Sequence, residues 1–328
     1  MNPSAQQGSQ LGPLNPGDVV SAALRLYKDR FKSFFQLAVL ATLWLVAGVV
    51  GLVLAIVILA GIGAGVGGEV GAVLGGFLGL LLGFAPLLYG SAKYYAISSI
   101  IGRLCFRDLI HQPETSREAR RQVAPQLKQF LLLGFLLLLA YLAAYLGGTL
   151  LALIAGGSVG FATAGILSAL IDQTVGSVMG VFLGVLIGLG VLLIALIWVA
   201  SRLFIAEVVL AIEPQHTAGG SMGRSWELTQ AAIVRIQVVF LATFLIQLPI
   251  LSVTNYIPSL LLELLPADGA VYGITALLSL VLSLVGSMVV LPLWQAVKGV
   301  LYYDLRSRRE GLDLSLRHDN DQSLDPDL

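Results

Sequence analysis

Cysteine occurs once in these 328 residues, as Cys105, and histidine three times, as His111, His216 and His318. A single thiol excludes an intrachain disulfide and any cysteine-based metal cage. The three histidines lie in separate polar segments and give no ligand pair at helical spacing. Cys105 reads as a small apolar filler near a helix end. Charge is scarce too: Asp, Glu, Lys and Arg make up 12 % of the chain, against roughly a quarter in an ordinary soluble domain. So few charges cannot cover a water-soluble globule of this size. Also missing is a basic N-terminal region followed at once by a short apolar run and a small-residue cleavage site. The start, MNPSAQQGSQLGPLNPGD, is polar and rich in Pro, Gly and Gln. No cleaved signal peptide is expected, and the first apolar run would itself direct insertion.

What is abundant is apolar: AVILMFWYC account for 57 % of residues. A hydrocarbon core about 30 Å thick needs roughly 20 apolar residues in a helix. Six segments meet that length, about Phe34–Ile62, Val70–Ile101, Phe130–Ile154, Val175–Ala200, Val238–Leu262 and Ile274–Leu301. A shorter apolar stretch, Ser158–Ile171, reads either as a re-entrant or interfacial turn before the fourth span or as an outer extension of that span. Every Lys and Arg falls before the first span, from the last turns of span two to the start of span three, between four and five, or from the last turn of span six onward. The connections after spans one, three and five hold only Glu69, Asp172, Glu263 and Asp268. Lys/Arg excess marks the cytoplasmic side, so an even number of crossings with both termini cytoplasmic is expected. The membrane would be a bacterial plasma membrane or an internal photosynthetic one.

A threefold pattern overlies the spans. Mixed polar-apolar segments, about Asp18–Lys32, Glu114–Lys128 and Gly220–Arg235, precede spans one, three and five. In the first, Val19, Val20, Ala23, Leu24, Tyr27 and Phe31 recur at helical spacing with charges opposite. These segments read as interfacial amphipathic helices, or else as cytoplasmic extensions of the spans that follow. In the third, Ser221 or Ser225 would cap the helix. The even spans carry small residues at every fourth position: Gly67, Gly71, Gly75, Gly79 and Gly83 in span two, Gly176, Gly180, Gly184 and Gly188 in span four, and Ser279, Ser283 and Ser287 in span six. Such a stripe lets helix backbones approach closely where lipid supplies no hydrophobic drive. The expected arrangement clusters the three even spans at the centre. Pro86 and Pro292 follow two of the stripes and are candidate kinks. From Val175 the apolar character continues to Ile212, which predicts a tilted or protruding helix.

The expected fold class is thus an all-α polytopic membrane protein of about six transmembrane helices in three pseudo-repeats, each with a cytoplasmic amphipathic helix. The membrane domain would cover residues 18–310, between a disordered segment 1–17 and an acidic disordered tail 311–328 with Asp313, Asp319, Asp321, Asp325 and Asp327. No Ser-His-Asp set or metal-ligand spacing appears, so neither a catalytic site nor a cofactor is expected. GIGAGVGGEVG contains G-x-G patterns but joins two membrane spans, the wrong context for a nucleotide loop. No acidic residue lies near the middle of a span, which weighs against proton-coupled transport. Gln36, Thr243, Gln247, Thr254 and Asn255 are suited to interhelical hydrogen bonds. Arg117, Arg120 and Arg121 are candidate contacts for anionic head groups. Tyr94, Tyr95, Trp198, Trp226, Trp294, Tyr302 and Tyr303 read as interfacial belt residues.

Three stretches carry a family resemblance: PLNPGDVVSAALRLYKDRFKSFFQLA near the start, SMGRSWELTQ ahead of span five, and LPLWQAVKGVLYYDLRSRREGLDL near the end. Together they resemble the bacterial glycerophosphoryl diester phosphodiesterase membrane-domain family. In some members the module is fused to a catalytic barrel; the stretches matched here belong to the membrane module, so the resemblance implies no phosphodiesterase activity. What it implies is a free-standing membrane module that works with other proteins. The expected function is therefore a non-enzymatic scaffold, anchor or regulatory module. Its partners would be membrane lipids and a protein, or a second copy of the chain, with no nucleic acid. The alternative is a transporter or channel for a small or lipid-like molecule.

Overall fold

The computed structural model describes residues 14–266 and 269–312. The expected N-terminal segment up to residue 13 and the tail from residue 313 lie outside the described residues, as does Asp268. Residues 14–17 are part of the folded unit, because the first helix, α1 (Pro16–Asp29), starts at Pro16. Asn15 caps it in a capping box with Asp18, and Pro16 occupies the first turn, where its missing N–H leaves no bond unmade. The other helices are α2 (Phe31–Leu109), α3 (Ser116–Val123), α4 (Leu127–Leu170), α5 (Gln173–Leu203), α6 (Ala206–Ile212), α7 (Ala218–Thr229), α8 (Ile233–Leu251), α9 (Ile257–Glu263) and α10 (Ala270–Glu310). A π-helical turn, Ser252–Tyr256, joins α8 to α9. Among the described residues there is no strand. Five of the helical stretches are long and apolar enough to cross a membrane, and the chain is an all-α, membrane-embedded protein.

The first stretch, α2, has 79 residues, about 118 Å if straight. It does not run straight. Gly67 and Gly68 leave helical geometry, and Gly68 takes φ 60° and ψ −141°, a region open to glycine alone without strain. The chain folds back there into antiparallel arms, 31–66 and 69–109. Along the second arm Gly71 lies on the backbone of Gly63, Gly75 on Leu59, Gly79 on Ala55 and Ile56, and Gly83 on Leu52. A methyl group on Gly79 would sit 2.5 Å from the Ala55 carbonyl oxygen. Gly67 makes no such approach; it is a turn residue, not part of the packing stripe.

Asp172 makes the second reversal. Its carboxylate accepts the amides of Thr174 (2.8 Å) and Val175 (3.1 Å) and so starts α5. Residues 158–171 form no re-entrant turn and do not extend the fourth span. They are the outer end of α4, which runs unbroken for 44 residues. Gly176, Gly180, Gly184 and Gly188 face Ser168, Ala164, Gly156–Gly160 and Ala152 of α4. In the third pair, Pro249 and Pro258 bracket the π turn. Each lacks an amide proton, so the regular hydrogen-bond ladder cannot pass through them. Within the turn Thr254 meets Gly286 of α10, and Asn255 accepts a 2.8 Å hydrogen bond from Ser283. Ser279 and Ser287 turn their hydroxyls to carbonyls of their own helix. The glycine stripes of the first two hairpins therefore face the odd member of the same hairpin, and in the third Ser283 and Gly286 do so. The even spans do come together, but at their basic ends, where α2, α6 and α10 meet, and not through these stripes, which are engaged within their own hairpins.

The hairpins meet at one end only, the end that carries the Lys and Arg residues. There α6 and the ends of α2 and α10 form a buried core that includes Leu104, Phe106, Val208, Leu210, Val300 and Leu301. Gly299 rests on the backbone of Gly102, which is itself in contact with Val208. The apolar run to Ile212 is not one tilted helix but α5 and the short, wholly buried α6, with Phe204 and Ile205 between them. The helix assignment runs through both Pro86 and Pro292; Pro86 packs on Gly48 and Gly51. The three mixed polar-apolar segments form separate short helices, α1, α3 and α7, and not extensions of one continuous helix. The apolar face of α1 packs on α8 and α10, that of α3 on α2, and that of α7 on α4, α5 and α6. Val19, Ala23, Ala119 and Ala218 are each 0 % exposed. Each short helix thus seats on the hairpin before it in the chain, and α1 closes the ring on the last.

Gly184→Leu is expected to lower the melting temperature of the detergent-solubilised protein by several degrees, because overpacking typically costs about 1–3 kcal/mol. Gly190→Leu, in the same helix with open space around it, is expected to leave it unchanged.

Candidate functional site

The buried end is rich in charge. Arg103, on the second arm of α2, is 1 % exposed. Its Nε donates to Glu114 at 2.8 Å and its Nη1 to the Ala211 carbonyl at 2.6 Å, and its Nη2 reaches Gln122. One planar guanidinium thus joins α2, the segment before α3, α3 itself and α6, which a point-charge lysine could not do. Glu207 of α6 accepts from Gln295 (2.8 Å) and Lys298 of α10. Glu213, just after α6, accepts from the Tyr302 hydroxyl, with His216 Nε2 2.7 Å and Arg224 Nε 3.8 Å from its carboxylate.

Asp304 has the most demanding position, at 0 % exposure. Its carboxylate accepts the amide of Leu14 (2.8 Å) and pairs with Arg235 (3.0 Å) and Arg308 (3.2 Å). Arg308 also donates to the Leu14 carbonyl at 2.9 Å. The start of the described chain, α8 and α10 are thereby fixed to one group. Arg30 closes the first hairpin in a related way, 2.7 Å from Asp108.

Arg202 differs from these. It is 8 % exposed, pairs with no carboxylate among the described residues, and lies against Trp198 and Trp226 with ring centroids 5.5 and 5.0 Å away. Cation–π attraction replaces the missing anion. Its carbonyl accepts from Ser225 and Thr229 at 2.8 and 3.3 Å, so Ser225 locks α7 to α5. The expected cap at Ser221 or Ser225 is corrected to Thr217, which receives the Gly220 amide at 3.2 Å.

The candidate head-group residues Arg117, Arg120 and Arg121 are exposed on α3, and among the described residues no ion pair engages them. Thr115 and Glu118 form the capping box of that helix. The Thr115 amide and hydroxyl hold the Glu118 carboxyl below its usual range. Of the expected belt aromatics, Trp198 and Trp226 are exposed at 41 % and 37 %. Tyr302 and Tyr303 are not belt residues: both are fully buried. Trp294 donates to Gln247 at 2.6 Å, an inter-helix bond that uses one of the polar residues at depth.

Sequence reasoning missed Arg103, Glu207, Glu213 and Asp304. A signal was available: Glu207 and Asp304 interrupt apolar runs, FIAEVVLAI and LYYDLR, where a carboxylate needs a partner. Among the described residues no group of three or more His, Cys, Asp or Glu is placed to hold a metal ion. Compared with known proteins, the chain matches no family model, no curated protein and no solved structure.

Removing one member of a buried pair leaves the other uncompensated, at a typical cost of about 3–5 kcal/mol. Asp304→Asn is therefore expected to destabilise the solubilised protein strongly and to expose the segment before α1 to protease. Arg117→Gln, at an exposed and unpaired position, is expected to stay within about 0.5 kcal/mol of the parent in a melting experiment.

Proposed function

We propose that this chain is a non-enzymatic membrane module that anchors or regulates a partner, made of six crossings in three pseudo-repeats with the basic end in the cytoplasm. The observation that carries this reading is how the charged side chains are used. Arg103, Glu207, Glu213 and Asp304 are each bonded to residues from other parts of the chain, so these buried charges are committed to holding the helices together. The exposed rim, in contrast, presents Arg117, Arg120 and Arg121. A rigid base with a basic rim, set on hairpins whose outer faces are apolar, suits attachment better than turnover.

Six crossings follow if both arms of α2 span the bilayer, and the distribution of Lys and Arg supports that orientation. The three short helices, each seated on the preceding hairpin, support the threefold repeat. The resemblance of the quoted motifs to the glycerophosphoryl diester phosphodiesterase membrane-domain family supports a module acting with other proteins. The glycine stripes are engaged within their own hairpins, which disfavours a conduit lined by them.

Topology is tested by single cysteines in a Cys105→Ser background. Cysteines at Glu69 and Asp172 are expected to label from outside intact cells, and one at Gln112 only after permeabilisation; external labelling at Gln112 would reverse the orientation. The function itself is tested by mild-detergent isolation from native membranes at endogenous expression, with proteins and lipids read by mass spectrometry. A stoichiometric protein partner or a discrete homo-oligomer is expected, together with no solute flux from liposomes that contain the pure protein. Flux by the protein alone would replace this reading with transport.

A further inference from the structure

Three ion pairs at the buried end are matched one to one: Arg103 with Glu114, Arg30 with Asp108 and Lys298 with Glu207. Around Arg224 and Arg306 the carboxylates of Glu213, Glu227 and Glu310 are in excess. Asp304 has the opposite balance. Two guanidiniums, of Arg235 at 3.0 Å and Arg308 at 3.2 Å, converge on its one carboxylate, and among the described residues no other carboxylate pairs with either. One positive charge is left over. Both arginines line a hollow of about 470 Å³ whose wall does not include Asp304. The hollow is thus faced by the two cations and not by the fully buried anion that holds them. Arg235 meets Asp304 with Nε and Nη2. Arg308 gives Nε to Asp304 and Nη2 to the Leu14 carbonyl. The Nη1 group of each makes no bond among the described residues. Also in the wall are Ile233 and Val234, the first residues of α8. That helix has no side-chain cap, so the N–H groups of its first turn have neither an intrahelical partner nor a capping oxygen, and the positive end of the helix dipole falls at the hollow. A surplus cation, two uncommitted guanidinium groups and a set of uncapped amides are the donors that a tetrahedral oxyanion requires.

We propose that this hollow binds one phosphate group, between Arg235 and Arg308 and against the first turn of α8. Asp304 is then a positioning residue. Its carboxylate fixes both guanidiniums before the phosphate arrives, so little side-chain freedom is lost on binding. Ile233 begins a stretch long and apolar enough to cross a membrane, which puts the hollow at the boundary between that stretch and the charged base. A lipid head group and a soluble phosphorylated molecule both present the required oxygens there, and the test separates them. The site needs no protein partner, so it stands or falls separately from the anchoring function.

Two preparations of the full chain are used. In nanodiscs of phosphatidylcholine with a minor fraction of phosphatidylglycerol, retained lipid is counted by native mass spectrometry after gentle detergent release. In detergent micelles, inorganic phosphate and glycerol 3-phosphate are titrated by calorimetry. One phosphatidylglycerol retained per chain in preference to phosphatidylcholine supports the proposal and assigns the phosphate to a head group. A single calorimetric site supports it and assigns the phosphate to a soluble molecule. Neither result in the parent would overturn it. In the preparation that binds, Arg308→Gln is expected to weaken binding roughly fivefold or more. Arg308→Lys keeps the charge beside Asp304 but not the planar fork; it is expected to show a smaller loss and keeps the test valid if Arg308→Gln fails to fold. Arg117→Gln should leave binding unchanged. Unaltered binding by whichever Arg308 variants fold also defeats the proposal, as does an equal loss in Arg117→Gln, the mark of diffuse attraction to the basic rim.

Discussion

Sealing Arg103 and Asp304 away from water is the condition that organises this molecule. An ionised group at almost no exposure is tolerable only if its partners arrive with it, and those partners come from distant parts of the sequence: Glu114 and Ala211 for Arg103, Leu14, Arg235 and Arg308 for Asp304. A hairpin that docked one helical turn out of register would leave a guanidinium or a carboxylate unpaired. The apolar side chains around them, Leu104, Val208 and Val300 among them, could slide past one another at small cost; the charges could not. In this reading the ion pairs contribute register more than net stability, and the close crossing at Gly102 and Gly299 is possible because the register is already set.

The opposite ends of the hairpins obey a different rule. Lipid chains are as apolar as leucine, so bringing two apolar helices together there releases no water, and van der Waals contact must supply the attraction. Small residues fit that requirement. Gly184 between Gly156 and Gly160, or Gly79 on Ala55, brings backbone against backbone, while Val57, Phe161, Leu153 and Ile194 are left pointing outward at more than half exposure. The result is a protein with two kinds of interior: an ion-paired base resembling a soluble core, and hairpins that are each complete by themselves. The short helices α1, α3 and α7 belong to the base, since their apolar faces are spent on neighbouring hairpins.

In the sequence the spans are easy to read, their packing faces only half so, and the pairings of the charged base hardly at all. Spans are legible because hydrocarbon thickness sets their length, and the placing of Lys and Arg is legible because insertion depends on it. The spacing of Gly75, Gly79 and Gly83 marks a packing face. It does not say which neighbour that face meets, because a stripe of small residues suits any backbone. The same ambiguity explains α1. Val19, Val20 and Ala23 define an apolar side, but helical periodicity cannot distinguish lipid from the side of α10 as what covers it. Gly67 fits the four-residue repeat and still serves as the turn, since the repeat is a rule of spacing and the turn at Gly68 is a demand on φ and ψ. The pairing of Asp304 with Leu14, 290 residues away in the chain, has no local signature beyond a carboxylate set among aromatic and aliphatic neighbours.

The two kinds of interior also constrain what this protein can do. A conduit through the middle would need helices that line it with faces not otherwise engaged, yet the faces best suited to it, the glycine stripes, are in contact with their own hairpin partners. Besides two polar hollows at the charged base, one under Arg30 and Glu114 and one beside Arg235 and Arg308, the spaces that remain lie along the long helices. One lies beside α5 and α8, lined by Ile197, Ser201, Phe240 and Phe244. Another lies between the first two hairpins, with Lys93 and Arg120 in its lining. A groove on the flank of α4 and α5 runs past Gly156, Phe161 and Val185. The first and third are lined almost wholly by side chains of the long apolar helices, so the molecule that would fit them is itself apolar. Hairpins that close on themselves through their small-residue stripes and meet at a charged base thus leave these grooves on the flanks of the long helices.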